Sequence, residues 1–182
     1  DLAVPASGAP VRVIELVPDQ LLTGSVTELP RMSDGLAVAD PARDLAKIAV
    51  IERHHRSGRV GCGFVRGFGL REGAFASTVS HDAHNVIVVG VSDDDMEAGA
   101  RRLAELGGGI VVVRDGTVLA ELALPAAGLM SDRPGAEVAA VLADLRRAAR
   151  SLGVELRAPF MALSFLGLSV IPSLKITDRG LV

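Results

Sequence analysis

Aromatic residues and cysteine are scarce in this 182-residue chain, and each scarcity narrows what the protein can do. Aromatic residues make up 3% of the chain, with no Trp and no Tyr, so we expect no stacking platform for nucleic-acid bases. The single cysteine, Cys62, excludes an internal disulfide and is typical of a reducing compartment. Its apolar neighbours favour a small buried side chain over a nucleophile. We therefore expect a cytoplasmic protein.

Long apolar runs and clustered basic charges are also missing. No apolar run reaches the roughly 18 residues that a membrane-spanning helix needs, and no secretory signal is visible at the start. The net charge is −3, and the basic group Arg146, Arg147 and Arg150 is interpreted as a solvated helix face. Neither a membrane nor a nucleic acid is therefore expected as a partner. Because the first residue is Asp1 and not Met, we expect the chain to begin inside a longer protein.

Short β-branched runs and two helical patterns predict an α/β or α+β fold, in which a mixed β-sheet carries two main helices. One helix is predicted to begin at Ser92, and the longer one covers residues 135–152. Residues 159–166 fit either a buried strand or a short core helix. Residues 1–43 are predicted to be an arm and linker with weak strand candidates, and residues 44–182 a compact domain. The strand predictions are clearest at residues 47–53, 74–80, 86–91, 110–113 and 118–124.

Residues 77–85 carry a high density of polar side chains, immediately before a run that is apolar throughout and predicted to be a central strand. Two histidines, an aspartate, an asparagine and two serines lie within these nine residues. Each polar group left unpaired in a dry site would cost about 1–3 kcal/mol. The stretch is therefore either a hydrogen-bonded knot that locks a turn or part of a chemical site.

The four histidines form two close pairs, His54 with His55 and His81 with His84. Imidazoles can bind a metal, and Asp82 between the second pair could orient them. The chain has no His-Glu-x-x-His and no Cys-x-x-Cys motif. Two readings stay open at this point: a metal site, or histidines that only form hydrogen bonds with neighbouring loops.

Serine catalysis is a further option for the same stretch, because Ser77 or Ser80 with a histidine and Asp82 supplies the groups of a triad. Adjacent residues rarely reach triad geometry, since one local segment cannot align three side chains. The Gly-x-Ser-x-Gly elbow is also absent. This option is therefore weaker than the other two.

Seven distinct sequence motifs follow one another along most of the chain. They are Ile51-Glu52-Arg53-His54, the glycine-rich residues 63–70, Ser80-His81-Asp82-Ala83-His84-Asn85-Val86, Gly107-Gly108-Gly109, Ala127-Gly128-Leu129-Met130-Ser131-Asp132, Leu163-Ser164-Phe165-Leu166 and residues 170–182. Together they resemble the C-terminal part of bacterial adenine deaminases, over roughly residues 44–182. The motifs are long and keep their order, which makes the resemblance specific.

The resemblance implies membership of the metal-dependent amidohydrolases, which convert adenine and water to hypoxanthine and ammonia. In that family a metal-bound hydroxide attacks the purine C6 while carboxylates move protons. The divalent metal, Mn, Fe or Zn, is held by a (β/α)₈ barrel that precedes this domain and carries a His-x-His. This chain has no His-x-His and is too short for a barrel of about 250 residues. We therefore expect no metal in this chain, and the barrel, in the same or a separate chain, as its partner.

On this basis the polar stretch is predicted to face the barrel mouth and to close the purine pocket. Asp82 and His84 are the catalytic candidates, and Ser80, His81 and Asn85 are the candidates for binding adenine. Weaker candidates, interpreted as structural, are Arg53, His54, Ser131 and Asp132.

Other readings stay open beside this one. The polar stretch could only fasten the two domains together, or the chain could be a non-catalytic binding or scaffold module of the same fold. A self-contained hydrolase that uses the histidine pairs is the third alternative. Whether the protein forms a homo-oligomer is also left open.

Overall fold

A mixed sheet of eight strands forms the centre of the computed structural model, which describes residues 2–182. Its order is β10-β9-β7-β8-β5-β6-β1-β2, and all neighbours are antiparallel except the parallel pair β1 and β6. The eight strands are β1 (Val11–Leu16), β2 (Thr23–Glu28), β5 (Leu45–Ile51), β6 (Val60–Arg66), β7 (Ala74–Ser77), β8 (Val86–Gly90), β9 (Gly109–Arg114) and β10 (Thr117–Ala123). Two small hairpins accompany the sheet: β3 (Arg31–Ser33) with β4 (Leu36–Val38), and β11 (Ile176–Thr177) with β12 (Gly180–Leu181).

Helices cover both faces of this sheet, which confirms the predicted fold class. The helix α1 (Asp93–Leu106) packs on one face, and α2 (Gly135–Ser151) and α3 (Pro159–Leu166) pack on the other. Strands β7, β8 and β9 are therefore buried on both sides, which explains their nearly continuous apolar sequence. None of the helices in residues 2–182 combines the length and apolarity that crossing a membrane requires.

The helix ends follow from particular residues. The Ser92 side chain accepts a hydrogen bond from the backbone N–H of Asp95 at 3.3 Å, and Gly107 ends α1 with φ +73°. Residues 159–166, which fitted a strand or a helix, form the helix α3. Pro159 stands in the first turn, where its missing N–H costs no hydrogen bond. The Phe160 ring packs edge-on against Phe75 at 5.5 Å and fixes this helix on the sheet.

The region predicted as an arm and linker with weak strand candidates contains four strands, β1 to β4, within its described residues 2–43. Strands β1 and β2 lie at one end of the eight-stranded sheet, and Val13 and Ile14 are fully buried. A short 3₁₀ helix, Pro41–Arg43, then leads into β5. The boundary at residue 44 stays a prediction.

Strand β7 is shorter than the predicted strand over residues 74–80. It ends at Ser77, because the hydroxyl of Ser77 accepts the backbone N–H of Val79 at 2.9 Å and turns the chain out of the ladder. Residues 78–85 of the polar stretch thus form a turn between β7 and β8, which is called the polar turn below.

The C-terminal hairpin lies on β6 on the face that also carries α2 and α3. Gly61 and Gly63 make this close approach possible. A Cβ on Gly61 would overlap the Thr177 carbonyl oxygen and come within 2.6 Å of the Gly180 nitrogen, while one on Gly63 would come within 3.1 Å of Leu181. The hairpin therefore sits beside the polar turn, where it forms part of the site described next.

Candidate functional site

The polar turn opens into a cavity of about 370 Å³ at the end of strands β7 and β8. Four of the five residues predicted for the site line it: Ser80, His81, Asp82 and Asn85. The opposite wall comes from the segment after α3 and from the C-terminal hairpin. Its residues are Gly167, Ser169, Ile176, Thr177 and Asp178, with Val50 and Ala83 completing the lining.

Two hydrogen bonds between Ser80 and His84 hold the turn. The backbone N–H of His84 donates to the Ser80 carbonyl at 2.6 Å, and the Ser80 N–H donates to His84 Nδ1 at 3.3 Å. His84 has φ +49°, a left-handed conformation that a histidine adopts at a cost. The hydrogen-bonded knot is therefore present in this turn, and the same turn lines a cavity. A chemical role for the turn stays a prediction.

His84 does not line the cavity. Burial lowers the pKa of His84, and the neighbouring His81 and Arg53 lower that pKa further. A neutral ring is what the Ser80 N–H needs, because only a neutral imidazole offers an acceptor nitrogen. The geometry thus gives His84 a positioning role, and its predicted catalytic role stays a prediction.

His81 forms part of the cavity wall and is held from two sides. Its ring lies 4.7 Å from the Phe165 ring of α3, with an interplanar angle of 31°, and 5.4 Å from the His84 ring. Its backbone N–H donates to the Ser164 carbonyl at 3.0 Å. The imidazole is therefore placed by α3 before any ligand arrives.

Ser80 and Asn85 are buried polar residues with free hydrogen-bonding capacity. They are 3% and 4% exposed. The Asn85 Oδ1 accepts the Arg53 N–H at 3.3 Å, but within residues 2–182 neither the Ser80 hydroxyl nor the Asn85 amide N–H₂ has a protein partner. Gly167 faces the Ser80 hydroxyl so closely that a Cβ there would come within 2.5 Å of it. Both groups are therefore available to a molecule in the cavity.

Asp82 differs from its neighbours because it is exposed at the cavity mouth. Its carboxylate makes no hydrogen bond to any residue in the described part of the chain, 2–182. Its carboxylate is therefore open to solvent at the cavity.

Arg53 connects the turn to two other segments. Its Nε donates to the His84 carbonyl at 2.6 Å, and its Nη2 donates to the Ala127 carbonyl at 2.6 Å. A Cβ on Gly128 would come within 2.8 Å of the guanidinium, so that loop needs glycine at this point. The structural interpretation of Arg53 agrees with these contacts.

Glu52 is a buried carboxylate that sequence reasoning missed. It accepts backbone N–H bonds from His54 at 2.5 Å, His55 at 2.8 Å and Ser57 at 3.0 Å, and the Ser57 hydroxyl at 2.7 Å. These bonds, those from Ser57 foremost, hold the pKa of Glu52 well below its usual range. The signal was a lone acidic residue at the end of a strand, before a run of polar residues and a glycine.

The other weak candidates make local contacts. His54 Nε2 lies 2.7 Å from the Ala83 carbonyl, so this histidine also braces the polar turn. The Ser131 hydroxyl accepts the Arg133 N–H at 3.1 Å within its own loop, and Asp132 is exposed there. Neither Ser131 nor Asp132 lines the cavity.

Metal ligands do not assemble within residues 2–182. No three His, Cys, Asp or Glu side chains of this part of the chain come together as a group that could hold an ion. The two histidine pairs lie on separate loops. Their rings contact backbone groups, the Glu52 carboxylate, Phe165 or each other. Residues 2–182 therefore do not fit the metal of the amidohydrolases, and no step through a metal is assigned to them.

Comparison with known proteins identifies the family. The model of the adenine deaminase C-terminal domain matches residues 20–182, so the chain belongs to this family and the resemblance seen in the sequence is confirmed. It is 53% identical to an adenine deaminase of Oleidesulfovibrio alaskensis over 181 residues, 100% of this chain. It is also 55% identical to one of Cereibacter sphaeroides over 178 residues and 52% identical to one of Moorella thermoacetica over 172, which are 98% and 94% of this chain.

The chain spans about a third of the length of these relatives. It covers 32% of the Oleidesulfovibrio and Cereibacter proteins and 29% of the Moorella protein. The activity of a whole adenine deaminase is thus a property of proteins roughly three times as long as this domain.

Proposed function

We propose that this domain completes an adenine deaminase, in which it closes the purine pocket of a metal-bearing barrel. The assembled protein hydrolyses adenine to hypoxanthine and ammonia, and the chain alone does not. Support comes from the family match and from relatives named adenine deaminase. The partner is the part that precedes the domain in those relatives, either in the same polypeptide or as a separate one.

The observation that carries this proposal is a pair of polar groups in the cavity lining that form no hydrogen bond with the described residues 2–182. The Ser80 hydroxyl and the Asn85 amide lie in a buried wall and have no protein partner within residues 2–182. Adenine presents ring nitrogens that accept hydrogen bonds and an exocyclic amine that donates them. A hydroxyl and an amide can satisfy both kinds of group.

The remaining residues have separate roles in the proposal. The His81 ring, held against Phe165, forms a flat wall for the base. Asp82 at the mouth contacts the barrel or moves a proton at the reacting centre, while His84 and Arg53 position the turn. The barrel supplies the divalent metal, Mn, Fe or Zn, which activates water for attack on the base. With one cysteine in the chain, we place the enzyme in the cytoplasm.

The test uses the assembled deaminase with Asp82→Asn and Asn85→Ala, and Asp132→Asn as the matched control. We expect the control to keep its adenine turnover, measured by ultraviolet absorbance. Both site variants should lose at least about tenfold in kcat/KM, the equivalent of roughly 1.4 kcal/mol of transition-state stabilisation. Metal content, measured in parallel, should stay unchanged in all three.

Unchanged turnover, KM and metal content in both site variants would remove the active-site role and leave the turn as a fastening between domains. If the chain alone converts adenine, it contains the catalytic groups itself, and the two histidine pairs become the candidate metal ligands. Absence of turnover even with the barrel present would favour the non-catalytic binding module.

A further inference from the structure

Two lysines are buried in this domain, and only one of them has a carboxylate partner. Lys47 and Lys175 are each 1% exposed. Lys47 donates to Asp93 Oδ2 at 2.7 Å and to the Leu2 carbonyl at 3.2 Å. Lys175 donates to the Leu21 carbonyl at 2.8 Å, and no carboxylate of residues 2–182 is in ion-pair contact with its nitrogen. The charge of Lys175 is therefore left without a counter-ion.

Lys175 lies in the wall of a second cavity, of about 230 Å³, on the far side of α3 from the polar turn. The cavity is otherwise mainly apolar. Its apolar lining includes Leu16, Leu21, Met161, Ala162, Phe165 and Leu166. At the rim, Asp19 and Arg157 are exposed and carry opposite charges, so they add no net charge at the entrance.

The first turn of α3 borders the same cavity. Ala158 precedes the helix, lines the cavity and offers no side-chain cap. The backbone N–H groups of a helix start are unpaired unless a cap or ligand accepts them, and the helix dipole makes that end attractive to anions. The buried ammonium and the helix start therefore favour the same kind of ligand.

Burying an ammonium group without a counter-ion costs free energy, and this cost disfavours the charged form of Lys175. Burial lowers the pKa of Lys175. An anion beside the nitrogen would stabilise the charged form, while apolar walls would gain from covering an apolar ligand body. A carboxylate is the common biological anion that combines both properties in a small molecule.

We propose that this cavity binds a carboxylate carried on a small apolar body, with the carboxylate at Lys175 and the apolar part between Met161 and Phe165. The Phe165 ring is shared, since it also contacts His81 of the polar turn. The carboxylate belongs either to a free organic acid or to an acidic side chain of the preceding part of the deaminase. Binding of a free acid does not depend on the proposed deaminase function, whereas occupancy by a side chain of the preceding part rests on it.

The first test is calorimetric titration of the chain with hexanoate, and with 1-hexanol as the uncharged probe of similar shape. We expect hexanoate to bind at least about tenfold more tightly than hexanol, because only the acid supplies a counter-ion. Lys175→Met should abolish this preference while the variant stays folded, as judged by circular dichroism. Lys47→Met is the matched control, since it removes a buried ammonium elsewhere and should keep the preference.

A second measurement uses the native chain, in case Lys175→Met does not fold. Nuclear magnetic resonance of the Lys175 side chain should show its pKa rising when hexanoate is added, because the bound anion stabilises the ammonium. Absence of binding, equal binding of hexanoate and hexanol, or a pKa that does not respond would each overturn the proposal.

The source of the carboxylate is decided in the assembled deaminase. Hexanoate that binds both the isolated domain and the assembled protein identifies a free acid as the natural ligand. Hexanoate that binds only the isolated domain shows that an acidic side chain of the preceding part occupies the cavity. Both outcomes support the site, and neither bears on whether the polar turn contacts adenine.

Discussion

His84 accepts a hydrogen bond from the Ser80 N–H through Nδ1 while it occupies a left-handed backbone conformation. Protonation would convert that acceptor into a donor, so the contact exists only with the neutral ring. The Arg53 guanidinium, bonded to the His84 carbonyl at 2.6 Å, also opposes a second positive charge in this turn. At the scale of the residue, therefore, the turn depends on a histidine that stays neutral.

This dependence predicts a loss of stability on mild acidification. The pKa of His84 is lower in the folded chain than its ordinary value of about 6.5. The unfolded chain therefore takes up a proton first, and the free energy of unfolding falls as the pH drops below about 6.5 towards the folded pKa. Urea unfolding at pH 7.5 and 5.5 measures this loss and stays above the range in which carboxylates titrate.

The variant His84→Asn isolates the effect. Asn tolerates the left-handed conformation, offers an acceptor oxygen and does not titrate, so it should lose less stability between the two pH values than the wild type. The exposed His55, changed to Asn, serves as the control and should keep the wild-type loss. A wild type and an H84N variant with the same pH dependence would contradict the neutral-ring account.

At the residue scale, the sequence predicted which residues line the cavity but not what each of them contacts. The polar density of residues 77–85 pointed to Ser80, His81, Asp82 and Asn85, and all four line one cavity. That His84 supports the turn instead depends on its backbone angle and on Arg53, some thirty positions earlier. A lone carboxylate such as Glu52 gave only a weak signal, because three of its four hydrogen-bond donors are backbone N–H groups that almost any residue can supply.

At the scale of the element, periodicity and end signals predicted most strands and both long helices. The short helix α3 was ambiguous, since eight apolar residues show no helical or strand period of their own. Its packing against Phe75 and His81 settles the matter through contacts far apart in sequence. The C-terminal hairpin was likewise invisible to periodicity, because each of its strands has two residues.

The second prediction concerns the contact between the C-terminal hairpin and Gly61 of β6. Gly61→Ala should lower the free energy of unfolding by about 1–3 kcal/mol, because the new methyl group overlaps the Thr177 carbonyl and cannot be relieved by a flexible side chain. Urea unfolding measures the loss. Amide hydrogen exchange should rise at Ile176 and Leu181, since the hairpin must lift from β6.

Gly135→Ala is the matched control for this change. Gly135 begins α2, and no atom lies within 4 Å of the position a Cβ would take. Alanine there should cause no loss, or a gain of up to about 1 kcal/mol from helix propensity. If the two variants unfold at the same urea concentration, close packing of the hairpin on Gly61 is not what secures it.

At the scale of the whole molecule, the parallel contact between β1 and β6 joins the start of the chain to its centre. Val13, Ile14 and Glu15 pair with Phe64, Val65 and Arg66. The sequence predicted weak strand candidates within residues 1–43 but not their place in the sheet, because hydrophobic periodicity does not reveal the order of strands. The N-terminal residues before β1 also contribute, since the Ala37 N–H donates to the Val4 carbonyl at 2.8 Å.

The third prediction concerns the fragment 44–182, which the sequence divided from the arm. This fragment lacks Val13 and Ile14, which are both fully buried in the full chain. Their loss should lower the free energy of unfolding by about 1.5–3 kcal/mol for each side chain and expose the edge of β6. We expect this fragment to unfold at markedly lower urea concentration than the full chain and to aggregate. Deleting only residues 1–10 should cost much less, because β1 and β2 remain paired. A fragment 44–182 as stable as the full chain would instead establish residue 44 as the start of the folding unit.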